Sequence, residues 1–456
     1  MNGALPPLGW PGIARLGLVQ AMLGAVVVLT TSTLNRVMVV ELALPALLPG
    51  LLVALHHAVQ LTRPRMGYGS DVGGRRTPWI LGGIAVLALG GFLAAVATTW
   101  MADSRTAGIA LAVAAFALVG VGVSAGGTSL LVLLAKRVDE SRRASAAAAV
   151  WVLMIVGFAV TAGLAGKWLD PYTPARLMMV SGCVSLVAVA VAALALWGLD
   201  GHGHSAAAPA RERPDFRAAL AEVWTEPDAR RFTIFVFVAM VAYSTQDLIL
   251  EPFAGAVFGF TPGASTQLSG VQHGGTLAGM LLAALAGRRV AGQRMGSLRT
   301  WTVLGCLASG VALLGLVAAG ALAPHWPLRA NVFALGVANG AFSIAAIGSM
   351  MSLAGGAKVG GATKSPREGT RMGLWGAAQA IGFALGGLFG AAASDLARWL
   401  IGDAALAYTS VFFVEAGMFV AAAWLAARIA GPHATVAVET TPLTPETQAL
   451  QAGGPR

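Results

Sequence analysis

Charged side chains are scarce in this sequence. Asp, Glu, Lys and Arg make up 11% of its 456 residues, where a soluble domain carries about 25%. Hydrophobic residues reach 57%, and the mean hydropathy is +0.74. A soluble fold of this length could not withdraw so much apolar surface from water, whereas lipid accepts it. Cysteine is almost missing. Cys183 and Cys306 both fall inside apolar runs, which argues against a structural disulfide and offers no metal-ligand spacing. There is no Walker pattern, no HExxH, no GxSxG, and no Asp-rich pair of the kind a membrane prenyltransferase needs for Mg²⁺ and diphosphate. ATP-driven transport and these chemistries are therefore disfavoured. No nucleotide and no resident metal is expected, and the chain reads as a non-enzyme. A cleavable leader is not expected either, because the first apolar run is long and leads into further spans.

Glycine and long apolar runs are what the sequence has in plenty. The 59 glycines suit close helix approach in lipid, where no hydrophobic drive holds helices together. At about 20 apolar residues per crossing, spans are predicted near 14–34, 43–62, 78–99, 107–134, 144–166 and 176–198. Six more follow near 231–257, 265–287, 300–322, 330–353, 373–395 and 405–429. The stretch 35–45 is ambiguous, because Asn35, Arg36 and Glu41 interrupt it; it is a candidate extension of the first helix. The net charge of +10 does not point to nucleic acid, since the basic residues sit in short loops. Alternate segments hold 24 of the 30 Lys and Arg residues, and the opposite side holds 6. That bias places both termini in the cytoplasm, with the basic loops against anionic lipid.

The expected fold is an all-α membrane bundle of twelve transmembrane helices in two six-helix halves. The halves are 1–198 and 231–430, joined by a cytoplasmic linker at 199–230 and followed by a disordered cytoplasmic tail at 431–456. Within the linker, Asp215–Trp224 could form a short amphipathic surface helix. The halves carry weak internal similarity. Trp151 with Gly157-Phe158-Ala159 parallels Trp375 with Gly382-Phe383-Ala384, and Ser32-Thr33-Leu34-Asn35 parallels Ser244-Thr245-Gln246-Asp247. Repeated six-helix halves are a transporter architecture; coincidence within Ala/Gly/Leu-rich helices is the other reading.

The loop after the second predicted span reads Gly67-Tyr-Gly-Ser-Asp71-Val-Gly-Gly74-Arg75-Arg76-Thr-Pro78. Its glycines permit a tight turn, and Asp71 can accept charge-assisted hydrogen bonds from an arginine or a helix N-terminus. Gly67, Asp71, Gly74, Arg75 and Arg76 resemble the loop signature of the major facilitator superfamily. Val72 stands where that family usually has a basic residue, which puts one of the loop's charge interactions in doubt. A latch that biases which face of the bundle opens, and a plain basic turn that only sets topology, are both open.

A narrower resemblance runs from Leu16 to Ile80. It is carried by Thr30-Thr-Ser-Thr-Leu-Asn35-Arg36-Val-Met-Val-Val-Glu41, Leu55-His56-His57-Ala-Val-Gln60, Arg63-Pro64-Arg65 and Gly69-Ser-Asp71 through Trp79-Ile80. This stretch resembles the PucC/LhaA family, the bacteriochlorophyll delivery family within that superfamily, and in particular its members linked to bacteriochlorophyll synthase. Beyond Ile80 the resemblance rests on helix number, the long central loop and the Trp/Gly-Phe-Ala repeats. It implies a non-catalytic assembly factor for light-harvesting complexes that binds or delivers bacteriochlorophyll a as cargo. The implied partners are antenna polypeptides, bacteriochlorophyll synthase and the lipid bilayer, without nucleic acid. The implied location is the inner, intracytoplasmic photosynthetic membrane of a proteobacterium. A secondary transporter of a small solute and an accessory subunit of the synthase are the alternatives.

Of 7 histidines, His56, His57 and His273 fall within predicted spans, where polar side chains are costly and functional by default. The magnesium of a bacteriochlorophyll has an open axial position that neutral imidazole fills, so these three are candidate axial ligands. Gln60, four residues after His56, shares its face. His56 and His57 project about 100° apart, so at most one faces a given groove. Interhelical hydrogen bonding is the competing reading. Asn35, Arg36, Glu41, Asp247 and Glu251 form an intramembrane polar set. Buried charges need partners; an Arg36–Glu41 or Arg36–Glu251 pair would close one face of the bundle, and Asp71/Arg76 the other. Proton coupling through Asp247 or Glu251 is the second reading. Elsewhere the helix centres read as Ala, Gly, Leu and Val, which favours an apolar groove over a water-filled cavity.

Overall fold

The computed structural model describes residues 7–62, 76–139, 142–199, 224–286, 289–290, 293–294, 297–354 and 368–429. Apolar runs in lipid must satisfy their backbone internally, and a helix does so. Among the described residues, twelve helices make up the bundle. The first six are α1 (Trp10–Glu41), α2 (Leu47–Thr62), α3 (Thr77–Trp100), α4 (Arg105–Arg137), α5 (Arg143–Leu169) and α6 (Pro174–Leu196). The second six are α7 (Pro227–Phe258), α8 (Pro262–Ala286), α9 (Leu298–Leu322), α10 (Leu328–Ala354), α11 (Glu368–Ile401) and α12 (Ala404–Ala427). A two-stranded antiparallel ribbon, β1 (Arg289–Val290) and β2 (Gln293–Arg294), lies between α8 and α9. Ten of the twelve helices are long and apolar enough to cross a membrane. Of the other two, α2 is short, and α8 buries Ser265, Thr266, Ser269, Gln272, His273 and Thr276. The chain is a multi-pass membrane protein.

The helix boundaries follow local chemistry. Pro11, Pro78 and Pro174 occupy first turns, where the missing N–H costs nothing. Thr173, Ser297 and Asp403 cap α6, α9 and α12 by accepting the N–H of Arg176, Thr300 and Leu406 at 3.1, 3.1 and 2.8 Å. Gly259, at φ 68°, ends α7 in the left-handed conformation glycine tolerates. The ambiguous stretch 35–45 resolves as an extension: α1 continues to Glu41 through two wide π-helical turns, Leu29–Thr33 and Val37–Glu41. α2 begins at Leu47, four residues later than the predicted span, because Pro45 disfavours helix at the residue before it. α7 and α11 run beyond their predicted ends. Of the linker 199–230, Leu199 and residues 224–230 are described. Asp215–Trp224, apart from Trp224, and the tail 431–456 lie outside the described residues.

Packing builds the cores in separate parts. One cluster draws only on residues 232–429, with Phe232, Phe253, Phe342, Trp375, Phe412 and Phe419 at its centre. Another draws only on residues 8–199. α3 runs along α4, α7 along α11, α8 along α10 and α9 along α12. The two sets of six helices meet where α5 runs along α8 and α2 along α11. At the α5/α8 crossing the backbones nearly touch: a Cβ on Gly166 would sit 2.6 Å from the Gly263 carbonyl. Trp10, Trp100, Trp168, Trp197 and Trp399 are exposed near helix ends, the position amphipathic rings take at a membrane–water boundary.

Candidate functional site

Three groups of polar side chains line the interface between the two sets of helices. The first lies near the C-terminal end of α2. The His56 and His57 rings sit 4.7 Å apart, centroid to centroid. Gln60 Nε2 donates to His56 Nε2 at 3.0 Å and to His57 Nδ1 at 3.3 Å. One amide thus engages both imidazoles, although the two project in different directions from the helix. The nitrogens it meets act as acceptors, so in each neutral ring the other nitrogen carries the proton. His57 stacks on Phe383 of α11 at 5.8 Å, and Phe383 meets Tyr243 of α7 edge-on at 5.9 Å. An aromatic row therefore joins α2, α11 and α7.

The second group is on α8. His273 is 6% exposed. Its Nδ1 donates to the Ser269 carbonyl at 2.8 Å, and its ring meets Phe158 of α5 edge-on at 4.9 Å. That bond fixes the tautomer and leaves the Nε2 lone pair without a hydrogen-bond partner among the described residues. The neighbouring Gln272 donates through Nε2 to Asp247 Oδ1 of α7 at 3.3 Å.

The third group closes the end of the bundle where α1 stops and α2 begins. Pro252 lies inside α7. Having no N–H, it leaves the Leu248 carbonyl without its helical donor. Asn35 Nδ2 fills that vacancy from α1 at 2.5 Å. Arg36 forms an ion pair with Glu41 and donates through Nη2 to the Phe260 carbonyl at 2.6 Å. Of the two pairings weighed from the sequence, Arg36–Glu41 is the direct one, and Glu251 lies in the field of Arg36 without a direct bond to it. Thr33 and Thr266 share a hydrogen bond at 3.0 Å. Gly255 leaves the space the guanidinium occupies: a Cβ there would lie 2.9 Å from Arg36 Nη2. Burial, and Glu41 beside it, push the Tyr172 phenol up, against the opposing pull of Arg36.

Of the loop motif, Gly67, Asp71, Gly74 and Arg75 lie outside the described residues, and Arg76 is buried at the start of α3. Sequence reasoning missed Asp395, whose carboxylate accepts the Ala46 and Leu47 N–H groups at 2.9 and 2.7 Å and the Arg398 guanidinium at 2.6 Å. It also missed Glu415, which is 1% exposed. A lone acid in the otherwise apolar run of α12 was the available signal. To the few intramembrane charges expected from the sequence, Asp247 and Glu251 among them, the second six helices therefore add the buried Glu415. Among the described residues, no group of three or more His, Cys, Asp or Glu could hold a bare metal ion.

Two sets of six helices meeting along α2/α11 and α5/α8 are the major facilitator fold. A solved nucleoside transporter shares it at a TM-score of 0.67 and 14% identity, over 92% of this chain and 100% of that one. A D-xylose–proton symporter does so at 0.65 and 13%, over 93% and 98%. Within that fold the chain belongs to the PucC protein family, whose model matches residues 33–434. It is 52% identical over 434 residues to the "Bacteriochlorophyll synthase 44.5 kDa chain" of Rhodobacter capsulatus, covering 95% of this chain and 98% of that protein. It is 29% identical over 427 residues to "Protein PucC" of Cereibacter sphaeroides, covering 89% of each.

Proposed function

We propose that this chain is a non-catalytic membrane factor that holds bacteriochlorophyll a and passes it, within the bilayer, to light-harvesting antenna polypeptides. The family and the name of the 52% identical relative support a bacteriochlorophyll role, and that name makes the synthase a second proposed partner. The observation that carries pigment contact is His273. Its Nδ1–H is tied to a carbonyl, which presents Nε2 as the neutral donor that an axial magnesium site takes. The pigment's magnesium would supply the Lewis acid for that bond. In the α2 pair, by contrast, Gln60 already engages one nitrogen of each ring, which leaves that pair a positioning role. Because His273 is 6% exposed, access to its Nε2 requires α5 and α8 to part. The reading places the chain in the intracytoplasmic photosynthetic membrane, with both termini and the linker between its six-helix halves cytoplasmic; the 24-to-6 division of basic residues supports that orientation.

Purification in a mild detergent followed by an absorption spectrum tests this. Bound bacteriochlorophyll is expected, with His273→Ala lowering it about tenfold and the His56→Ala/His57→Ala pair lowering it less. A colourless protein that moves a soluble solute into liposomes would overturn the assignment. That transporter reading is the second one, and the buried carboxylates of α7 and α12 favour it.

A further inference from the structure

Consecutive helices are usually neighbours in space. Among the described residues, α8 and α9 instead each run along α10 rather than along one another. Glycines draw both onto it: Gly279 of α8 lies against the Val337 carbonyl, and a Cβ on Gly305 of α9 would sit 2.7 Å from the Phe342 nitrogen. Between α8 and α9 an apolar groove of about 400 Å³ stays open over α10. Ala334, Ala338 and Ala341 of α10 form its floor, and Leu282, Trp301 and Leu304 stand along its sides. Leu282 and Leu304 are 51% and 57% exposed, so the groove opens outward. The floor covers about 10 Å of helix, which spreads the 400 Å³ over a mean cross-section of about 40 Å². A helix about 10–12 Å across does not fit that section, whereas an extended hydrocarbon chain does. One mouth of the groove meets the ribbon. Leu282 is one turn from the end of α8 and Trp301 is at the start of α9, so the intervening β1 and β2 lie at that end. Their register pairs Arg289 directly with Arg294. Like charges at opposed positions of an antiparallel pair are destabilising, and an anion between them offsets the repulsion.

We propose that the groove and the ribbon together bind one anionic phospholipid of the bilayer, with an acyl chain along α10 and the headgroup at the Arg289–Arg294 pair. A basic mouth on an apolar slot between membrane helices suits a lipid that carries both chemistries. The site is separate from the α5/α8 crossing. Leu282 follows His273 by nine positions, about half a rotation of α8, and so lies on the opposite face of that helix. It goes beyond pigment handling and is tested without pigment.

The full chain in detergent is given phosphatidylglycerol or phosphatidylcholine carrying a photoreactive group in one acyl chain, irradiated, and mapped by mass spectrometry. Phosphatidylglycerol is expected to label the groove around Leu304, one lipid per chain, and phosphatidylcholine to label it at least about tenfold less. Ala334→Phe fills the groove from an exposed position and should abolish that label. Val311→Phe, at a 69% exposed position of α9, should keep it. Arg289→Gln and Arg294→Gln should each lower phosphatidylglycerol labelling about fivefold and leave phosphatidylcholine labelling as it was. Equal labelling of the wild-type groove by the two lipids overturns the site, whatever the folding of the variants. So does a label that survives Ala334→Phe, or a wild-type groove filled by an isoprenoid chain that phosphatidylglycerol does not displace.

Discussion

The two sets of six helices share a helix number and fragments of sequence, yet they meet as a donor surface and an acceptor surface. At the closed end, the first set gives and the second takes. Asn35 donates to the Leu248 carbonyl, Arg36 to the Phe260 carbonyl, and the Ala46 and Leu47 N–H groups to Asp395. Among the described residues, the Thr33–Thr266 bond there could run either way. Buried charge divides in the same sense. Among the described residues, the first set buries Arg36 and Arg76 and no carboxylate, whereas the second buries Glu251 and Glu415 and no lysine or arginine. Complementary surfaces of this kind fix orientation and register more than they add affinity. An internal repeat that began as two like halves would lack that polarity, so the difference is what makes one docked arrangement preferred.

Removing the central donor should break the comparison most severely. Arg36 is 2% exposed, meets Glu41 and the Phe260 carbonyl, and is the positive charge acting on Glu251. Arg36→Ala leaves those acceptors uncompensated and is expected to cost about 3–5 kcal/mol, read as a fall in thermal unfolding temperature in detergent. Arg36→Lys should recover only part of it, because a point charge cannot reach two acceptors as a planar fork does. Unfolding of Arg36→Ala at the wild-type temperature would show that the polarity is incidental.

The Asn35 contact allows a sharper test. Asn35→Ala should cost about 1–3 kcal/mol, since the Leu248 carbonyl would be buried without any donor. Pro252→Ala restores an N–H four residues on, which can take that carbonyl back into the helix. The double variant should therefore be less destabilised than the two single losses added together. Strict additivity in a denaturant series would mean that the Asn35 bond does not answer the proline.

These contacts mark where the sequence stops being legible. The helix count and most spans follow from hydropathy, because lipid imposes one length on every crossing. Asn35, Arg36 and Glu41 were visible as polar interruptions, and their direct pairing was one of two options the spacing allowed. Glu415 was passed over because one acid in a long apolar run barely changes a hydropathy window. Asp395 was hidden for a different reason: it caps a helix more than three hundred residues earlier in the chain, and no local pattern encodes a cap supplied from elsewhere. The relation between Pro252 and Asn35 likewise needs two helices side by side. At His56 and His57, helical projection alone argued that one groove sees one ring, but the reach of Gln60 lets a single side chain hold both.

The smallest effect is also the most discriminating. α2 begins without a side-chain cap of its own, and Asp395 of α11 supplies one across the interface. Asp403 caps its own helix, α12, through the Leu406 N–H at 2.8 Å. Each substitution to alanine removes a carboxylate cap and should cost about 0.5–2 kcal/mol. They should differ in where the loss is felt. Asp403→Ala should fray only the first turn of α12. Asp395→Ala should raise hydrogen exchange in the first turn of α2 and weaken crosslinking between cysteines placed on α2 and α11, because the bond it removes is both a cap and a tie between the two sets of helices. If both variants exchange and crosslink alike, the cap from α11 stabilises α2 without joining the halves, and the donor–acceptor polarity reduces to the bonds made by α1.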